Sequence, residues 1–513
     1  MTFPRRSGVL LHPTSLPGRF GLGDLGDAAY AFVDFLAEAR QSYWQVLPMS
    51  PTGYADSPYQ GLSVFAGNPM LISPDHLLTE GHLTGADLAQ APPFPNDHID
   101  FGWVIPYKMA LLDRAYERFS HNASDDQRAA FAHFCAAQSS WLDDVALFMA
   151  LKEHYALRPW HEWDSAIARR QPEALEHWRS HLAARIGSQK YRQWQFYRQW
   201  LALKAYANEK GIRIIGDIPL YVSQDSADVW VNLRHFHFDQ NLTPTVVSGV
   251  PPDYFSANGQ LWGHPIYRWH AMADEGYAWW IARFRMAFTQ ADVVRIDHFR
   301  GFYNYWEVPA GEQTAINGRW RFGPGAHIFR AVTEALGSLS IIAEDLGDFD
   351  TKSRAGLDAL QAEFGYPGMK VLQFAFGGKP TDLFLPHNFK HDCVVYTGTH
   401  DNDTTVGWYS QASEIERHYV RRYLGRDGSD IALNLIRLAW SSVADTALTT
   451  VQDLLSLGTT SRLNLPGTTG APNWCWRLPE GMLDARVAGR LAELTYVFGR
   501  TPAPKPEEIS HVV

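Results

Sequence analysis

A chain of 513 residues that is 46% hydrophobic and 19% charged, without long charged blocks, has ample material for a large core and excludes a disordered or fibrous protein. Its formal net charge of −10, with no clustered Lys/Arg run, speaks against a nucleic-acid partner, because phosphate binding needs grouped basic side chains. Three cysteines without CxxC spacing exclude a disulfide framework and a cysteine zinc site, as expected of a reducing cytoplasm, and no run of about 18 apolar residues suggests a membrane span.

At the start of the chain, His12 and Pro13 cut short the apolar stretch that follows Arg5 and Arg6, so no export signal is read. From there, short Val/Ile/Leu-rich runs bounded by Gly, Pro or Asp predict strands at 9–12, 44–47, 212–218, 293–296, 341–343, 369–374, 393–396 and 447–451. Eight strands close a parallel barrel, so the predicted fold is an α/β protein, a (β/α)8 TIM barrel of residues 1–48 and 211–490. The eighth run competes with a continuous helix over 437–457. Gly21-Leu22-Gly23-Asp24-Leu25-Gly26 matches G-x-G-x-x-G ahead of a helix over 28–39. The match reads as a turn, because Pro13 and Pro17 separate it from the strand and 43–48 offers no ribose-binding acid.

Between the second and third strands, 49–210 is a mostly helical insertion lining the cleft. Apolar residues recur at three- and four-residue intervals in 141–154 and 191–208, Gly211 stops the latter, and Pro-rich 91–95 is loop. Between the third and fourth strands, 225–285 is a loop-rich insertion, and its segment 248–259 is too rich in Gly, Pro and Asn for regular structure. Residues 490–513 read as a C-terminal tail.

Barrel enzymes carry their chemistry at the C-terminal ends of the strands. Asp297 ends the fourth run, Glu344 and Asp345 follow the fifth, and Asp401 follows the seventh through Thr397-Gly398-Thr399-His400. One such acid caps a helix as readily as it catalyses, but three at one face point to glycoside chemistry. Retaining cleavage needs a carboxylate nucleophile and a protonated carboxyl roughly 5–5.5 Å apart, which neighbouring strands can supply. Arg295 alternates onto the same face as Asp297 and its charge keeps that carboxylate ionised, which makes Asp297 the nucleophile. Ile341, Ile342 and Ala343 give Glu344 an apolar setting that favours its neutral form, which makes it the general acid/base. Adjacent Asp345 is the other candidate for that position or a helix cap. His298 and His400 could be read with Asp297 and Asp401 as metal ligands. There is no HExxH and no tight His cluster, so hydrogen bonding to sugar hydroxyls is preferred, and no metal or cofactor is expected.

Several segments together carry a resemblance: Gly53-Tyr54-Ala55-Asp56-Ser57-Pro58-Tyr59-Gln60, Ile215-Gly216-Asp217-Ile218-Pro219, Gly249 to Phe255, Val294-Arg295-Ile296-Asp297-His298-Phe299-Arg300-Gly301, Ala343-Glu344-Asp345-Leu346-Gly347 and Gly398-Thr399-His400-Asp401-Asn402-Asp403-Thr404-Thr405. In this order they resemble the 4-α-glucanotransferases (amylomaltases, disproportionating enzymes) of the α-amylase-like clan, over residues 8 to about 477. The resemblance implies a hexosyltransferase that moves an α-1,4-glucan segment from a maltodextrin donor to the 4-OH of glucose or another glucan. It implies a covalent intermediate on Asp297, proton transfer by Glu344 and transition-state stabilisation by Asp401. It implies that Arg295, His298, His400 and Asp217 hold the reacting sugar or the nucleophile, that Tyr59 and Ser57, with Tyr54 and Asp56 beside them, line the donor side, and that Trp262 and the loop of Pro251, Tyr254 and Phe255 cover the acceptor path. Asn464, in Arg462-Leu463-Asn464-Leu465-Pro466-Gly467, is implied as a sugar ligand. The partners expected are α-1,4-glucans and glucose, for a monomer or weak homodimer. An amylase-like hydrolase with the same acids is the alternative, since water or a sugar hydroxyl can attack the same intermediate. A catalytically silent glucan-binding protein is a second, against which the three acids speak.

Overall fold

The computed structural model describes residues 3–252 and 256–502. Strands β1 (Arg6–Leu10), β2 (Tyr43–Gln45) and β3 (Arg213–Pro219) run side by side, β4 (Val246–Val250) and β5 (Gln260–Pro265) turn away, and β6 (Val293–Asp297) returns. β7 (Asn304–Pro309) and β8 (Arg319–Phe322) leave again before β9 (Ile341–Ala343), β10 (Gly368–Val371), β11 (Cys393–Tyr396) and β12 (Thr446–Thr450). The eight strands β1, β2, β3, β6, β9, β10, β11 and β12 form a closed barrel in chain order, with β12 pairing back onto β1 in parallel. All eight predicted runs fall on these strands, and the fold is the expected (β/α)8 barrel. The sixth strand is shorter than expected, because 372–374 turn into 3-10 helix after Val371. The eighth is a strand and not part of a continuous helix: helix Ile431–Ser441 ends first, and Thr446 to Thr450 are buried between two parallel neighbours.

Alternation along each strand sorts side chains into two cores. Tyr43, Ile215, Val293, Ile342, Met369, Val371, Val394, Tyr396 and Leu448 form one cluster, the barrel interior. Their neighbours Trp44, Ile214, Val294, Ile341, Ala343, Val395 and Ala447 belong to the larger cluster beneath the helices. Counting in steps of two from Val293 reaches Arg295 and Asp297; from Ile215 it reaches Asp217; from Ile342 it reaches Glu344. The interior face that is apolar lower down becomes charged at the C-terminal end.

The connections carry more structure than their composition suggests. β4, β5, β7 and β8 form an antiparallel sheet in the order β5-β4-β7-β8. Segment 248–259, expected to be irregular, therefore begins inside β4, where Ser248 and Gly249 pair with Glu307 and Trp306 of β7. Pairing across the sheet overrides the weak local strand propensity of Gly, and Gly is required there, because a Cβ on residue 249 would lie 2.6 Å from the carbonyl oxygen of Gln260. Helices Phe101–Asn122, Ser139–His154 and Ala183–Glu209 dominate 49–210. Arg192, fully buried on the last of them, is neutralised by Asp113 and Glu153 from the other two. Helix Ala485–Val497 spans position 490, the expected start of a tail. Its Val487, Ala488, Leu491 and Leu494 are buried in the main core, and fully buried Arg500 donates to the carbonyl of Arg6, so the docked chain extends past 490. Among the described residues no helix is long and apolar enough to cross a membrane.

Candidate active site

Register brings the two central carboxyls together. Ile296 of β6 pairs with Ala343 of β9, so Asp297 and Glu344 both leave the barrel one residue beyond the same rung. One strand further, Asp217 of β3 sits opposite Arg295. The guanidinium of Arg295, 3% exposed, spans both acids, donating to Asp217 Oδ2 at 2.6 Å and to Asp297 Oδ1 at 2.9 Å. Tyr59, from the loop after β2, adds its hydroxyl to Asp217 Oδ2 at 2.8 Å. Burial raises the Asp217 carboxyl above its ordinary range, opposed by Arg295.

Glu344 is gripped by main-chain donors. Its Oε2 accepts from the His298 amide at 2.8 Å and its Oε1 from the Leu346 amide at 2.8 Å. The first contact depends on a left-handed backbone at His298 (φ 53°), an uncommon conformation for a side-chain-bearing residue. Burial, followed by the negative charge of Asp297, pushes the Glu344 carboxyl far above the usual carboxylate range, with Arg295 and the two amides opposing. Burial thus favours its protonated form at neutral pH. Asp345 points elsewhere: its carboxylate takes the Met369 amide at 2.8 Å and Arg354 at 2.8 Å. Gly368 makes room for it, since a Cβ there would lie 2.5 Å from Asp345 Oδ2.

The third acid is presented by a braced turn. Asn402 Oδ1 accepts from the amide and hydroxyl of Thr399, and buried Asp453 holds Thr397 and Thr405 on either side. Asp401 then faces His400 Nε2 at 3.3 Å and takes Asn464 Nδ2 on its Oδ1 at 2.7 Å. Burial pushes its carboxyl up, but His400, Asn464 and Arg295 together outweigh it and hold it well below the usual range. For His400, burial works against protonation and Asp401 overcomes it, raising the imidazole. His298 moves the other way, lowered by burial to about 4, and is neutral.

Aromatic contacts join these groups. Tyr59 stacks on His400 with centroids 5.2 Å apart, and Trp262 meets His298 edge-on at 4.8 Å. Other predicted residues stand further out. The Ser57 hydroxyl accepts from the Tyr59 amide at 3.3 Å, Asp56 is half-buried with a left-handed backbone, Tyr54 is 71% exposed, and Pro251 is half-buried. Tyr254 and Phe255 lie outside the described residues. Trp474 and His264 escaped the sequence reading. Trp474, also left-handed (φ 64°), packs on Tyr59 at 5.9 Å and His400 at 6.0 Å, and His264 Nε2 meets Gln60 at 3.4 Å. Only the aromatic excess hinted at Trp474. Among the described residues no three His, Cys, Asp or Glu side chains converge as a metal ion would require. A separate cavity of about 790 Å³, lined by residues that include Phe65, Trp141, Tyr197, Trp279 and Met286, contains none of the predicted site residues.

The family profile described as 4-alpha-glucanotransferase matches residues 11–483. The chain belongs to the 4-α-glucanotransferase family. The 4-alpha-glucanotransferase of Synechocystis sp. is 50% identical over 97% of this chain and 98% of its own, and that of Thermus thermophilus is 46% identical over 96% and 98%. Amylomaltase from Streptococcus agalactiae, solved in complex with acarbose, superposes with a TM-score of 0.93 at 39% identity, covering 97% of this chain and all of that one. The protein is thus a 4-α-glucanotransferase, a glycosyltransferase acting on α-1,4-glucans, and the hydrolase alternative is not favoured.

Proposed function

We propose that this 4-α-glucanotransferase works by double displacement, with Asp297 as nucleophile, Glu344 as general acid/base and Asp401 as stabiliser of the transition state. The observation that carries the reading is the shared rung of β6 and β9, which sets Asp297, paired with the Arg295 guanidinium, beside Glu344, whose carboxyl burial holds toward the neutral form. In the first step Asp297 attacks the anomeric carbon of the donor glucan, the glycosidic bond breaks, and Glu344 gives its proton to the departing 4-oxygen. In the second, Glu344, now ionised, takes the proton from the 4-OH of an acceptor glucose or glucan as that oxygen displaces Asp297. The charge developing on the ring lies near Asp401, held ionised by His400 and Asn464. Asp217 Oδ1, His298 Nε2 and His400 Nδ1 are buried without a hydrogen-bond partner among the described residues, and the hydroxyls of a bound glucose match them.

Transfer exceeds hydrolysis when the acceptor hydroxyl is held at high effective concentration and water is kept off the intermediate. Trp262 against His298 and Trp474 against Tyr59 supply apolar surface for sugar faces on either side. Tyr59, Ser57, Tyr54 and Asp56 then serve the donor side, and Pro251, Tyr254 and Phe255 the acceptor side. The protein acts in the cytoplasm, as a monomer or weak homodimer, without a cofactor. Incubation with maltotriose tests the scheme: glucose and a ladder of longer maltodextrins are expected at constant total reducing ends. A rise in reducing ends equal to the bonds cut would refute transfer.

A further inference from the structure

Neither amide that grips Glu344 belongs to a regular element. His298 lies in the turn after β6 and Leu346 in the loop after β9, so the acid is only as well placed as those two segments are relative to each other. One side chain ties them. Arg300, two residues beyond His298, donates from Nη1 to the carbonyl oxygen of Asp348 at 2.6 Å, two residues beyond Leu346. Its Nε donates to Asn304 Oδ1 at 3.0 Å, and Asn304 passes the link to Ser353 Oγ at 3.0 Å, at the start of the helix Thr351–Phe364 that follows the second loop. Its guanidinium lies between two rings, 4.0 Å from the Trp320 centroid on β8 and 4.3 Å from that of Phe349. Only 8% exposed, it forms no ion pair within 4 Å among the described residues and contacts neither Asp297 nor Asp401.

We propose that Arg300 is a positioning residue for the general acid: it clamps the turn after Asp297 to the loop after Glu344 and so fixes the two amides that aim the Glu344 carboxyl. A planar fork with a stacking face suits this task, because it holds a carbonyl and an amide oxygen in fixed directions while its faces are packed, which a lysine ammonium cannot do. The inference rests on Glu344 being the proton donor.

The test compares donors that differ in their need for an acid. Arg300→Met keeps an apolar stem between the rings and removes the fork. On maltotriose it is expected to lower kcat by about 10- to 100-fold, the usual range for a supporting residue, with KM little changed. Single-turnover fluoride release from α-maltosyl fluoride, whose leaving group needs little protonation, is expected to fall by about twofold at most. Arg300→Lys is expected to recover only part of the maltotriose loss. Equal losses on both donors, or an unchanged kcat on maltotriose, would overturn the proposal, since a general loosening of the fold does not distinguish leaving groups. If Arg300→Met fails to fold, Trp320→Ala on the exposed strand β8 removes one stacking face, and the same donor-dependent pattern is expected at smaller amplitude. In a Glu344→Gln background Arg300→Met is expected to add no further loss, whereas additive losses count against the clamp. Should Glu344→Gln alone show no donor dependence, it is the acid assignment that fails.

Discussion

The lower and upper halves of the barrel interior are built from the same strands and the same parity of residues, yet they do opposite things. Below, Ile215, Val293 and Ile342 are fully buried in an apolar plug. One or two steps of two further along, the same strands present Asp217, Arg295, Asp297 and Glu344, with a shared guanidinium and, at Asp217 Oδ1, a buried polar atom unpaired among the described residues. A rigid packed floor and a polar, strained ceiling are consequences of one alternation. The floor fixes positions to the precision that the ceiling needs.

Substitutions separate the two halves. The largest effect is expected for Asp297→Asn: loss of the proposed nucleophile is expected to cut glucose release from maltotriose by roughly 10⁴-fold or more, with no covalent intermediate detected by intact mass. Glu344→Gln comes next, with a loss of about 10²- to 10⁴-fold on maltotriose and partial recovery on α-maltosyl fluoride. The same carboxyl sets the alkaline limb in the unsubstituted enzyme. In the proposed scheme its protonated form does the work, so kcat/KM on maltotriose is expected to fall as pH rises through about 8, and a limb unchanged by the activated donor would contradict this. Arg295→Met attacks the seam between the halves. It leaves Asp217 and Asp297 without their counter-ion, and denaturant unfolding is expected to show a loss of about 3–5 kcal/mol at neutral pH. The smallest effect belongs to the floor, where Ile342→Val is expected to cost about 0.5–1.5 kcal/mol of stability and leave kcat unchanged. A large drop in kcat there would mean that the plug does more than support.

The barrel was legible because its strands are short apolar runs closed by Gly, Pro or Asp, a pattern that survives from sequence to structure even where 372–374 coil into 3-10 helix. Asp297 and Glu344 were legible for the same reason, each standing at the end of such a run, whereas Asp401 stands beyond the turn that follows the seventh. Alternation also holds the answer to the choice between Glu344 and Asp345: once Ile342 is known to face inward, residue 344 must follow it, and 345 turns outward to Arg354 and β10. Sequence alone does not reveal which parity is inside. The sheet of β4, β5, β7 and β8 stayed hidden because its pairing is long-range, linking residues near 249 with those near 306, and Gly249 argues locally against a strand. Trp474 stayed hidden because its place on Tyr59 depends on a left-handed backbone that no neighbouring residue announces.

The support of Asp401 comes from late in the chain. Asn464 binds its carboxylate and Asp453 moors its turn, and both follow β12, the strand that pairs with β1. A nascent polypeptide emerging from the ribosome thus owns the pair Asp297 and Glu344 long before it owns the parts that steady the third acid. Fragments that end before residue 453 lack these supports, and on the proposed role of Asp401 they are expected to turn over no glucan.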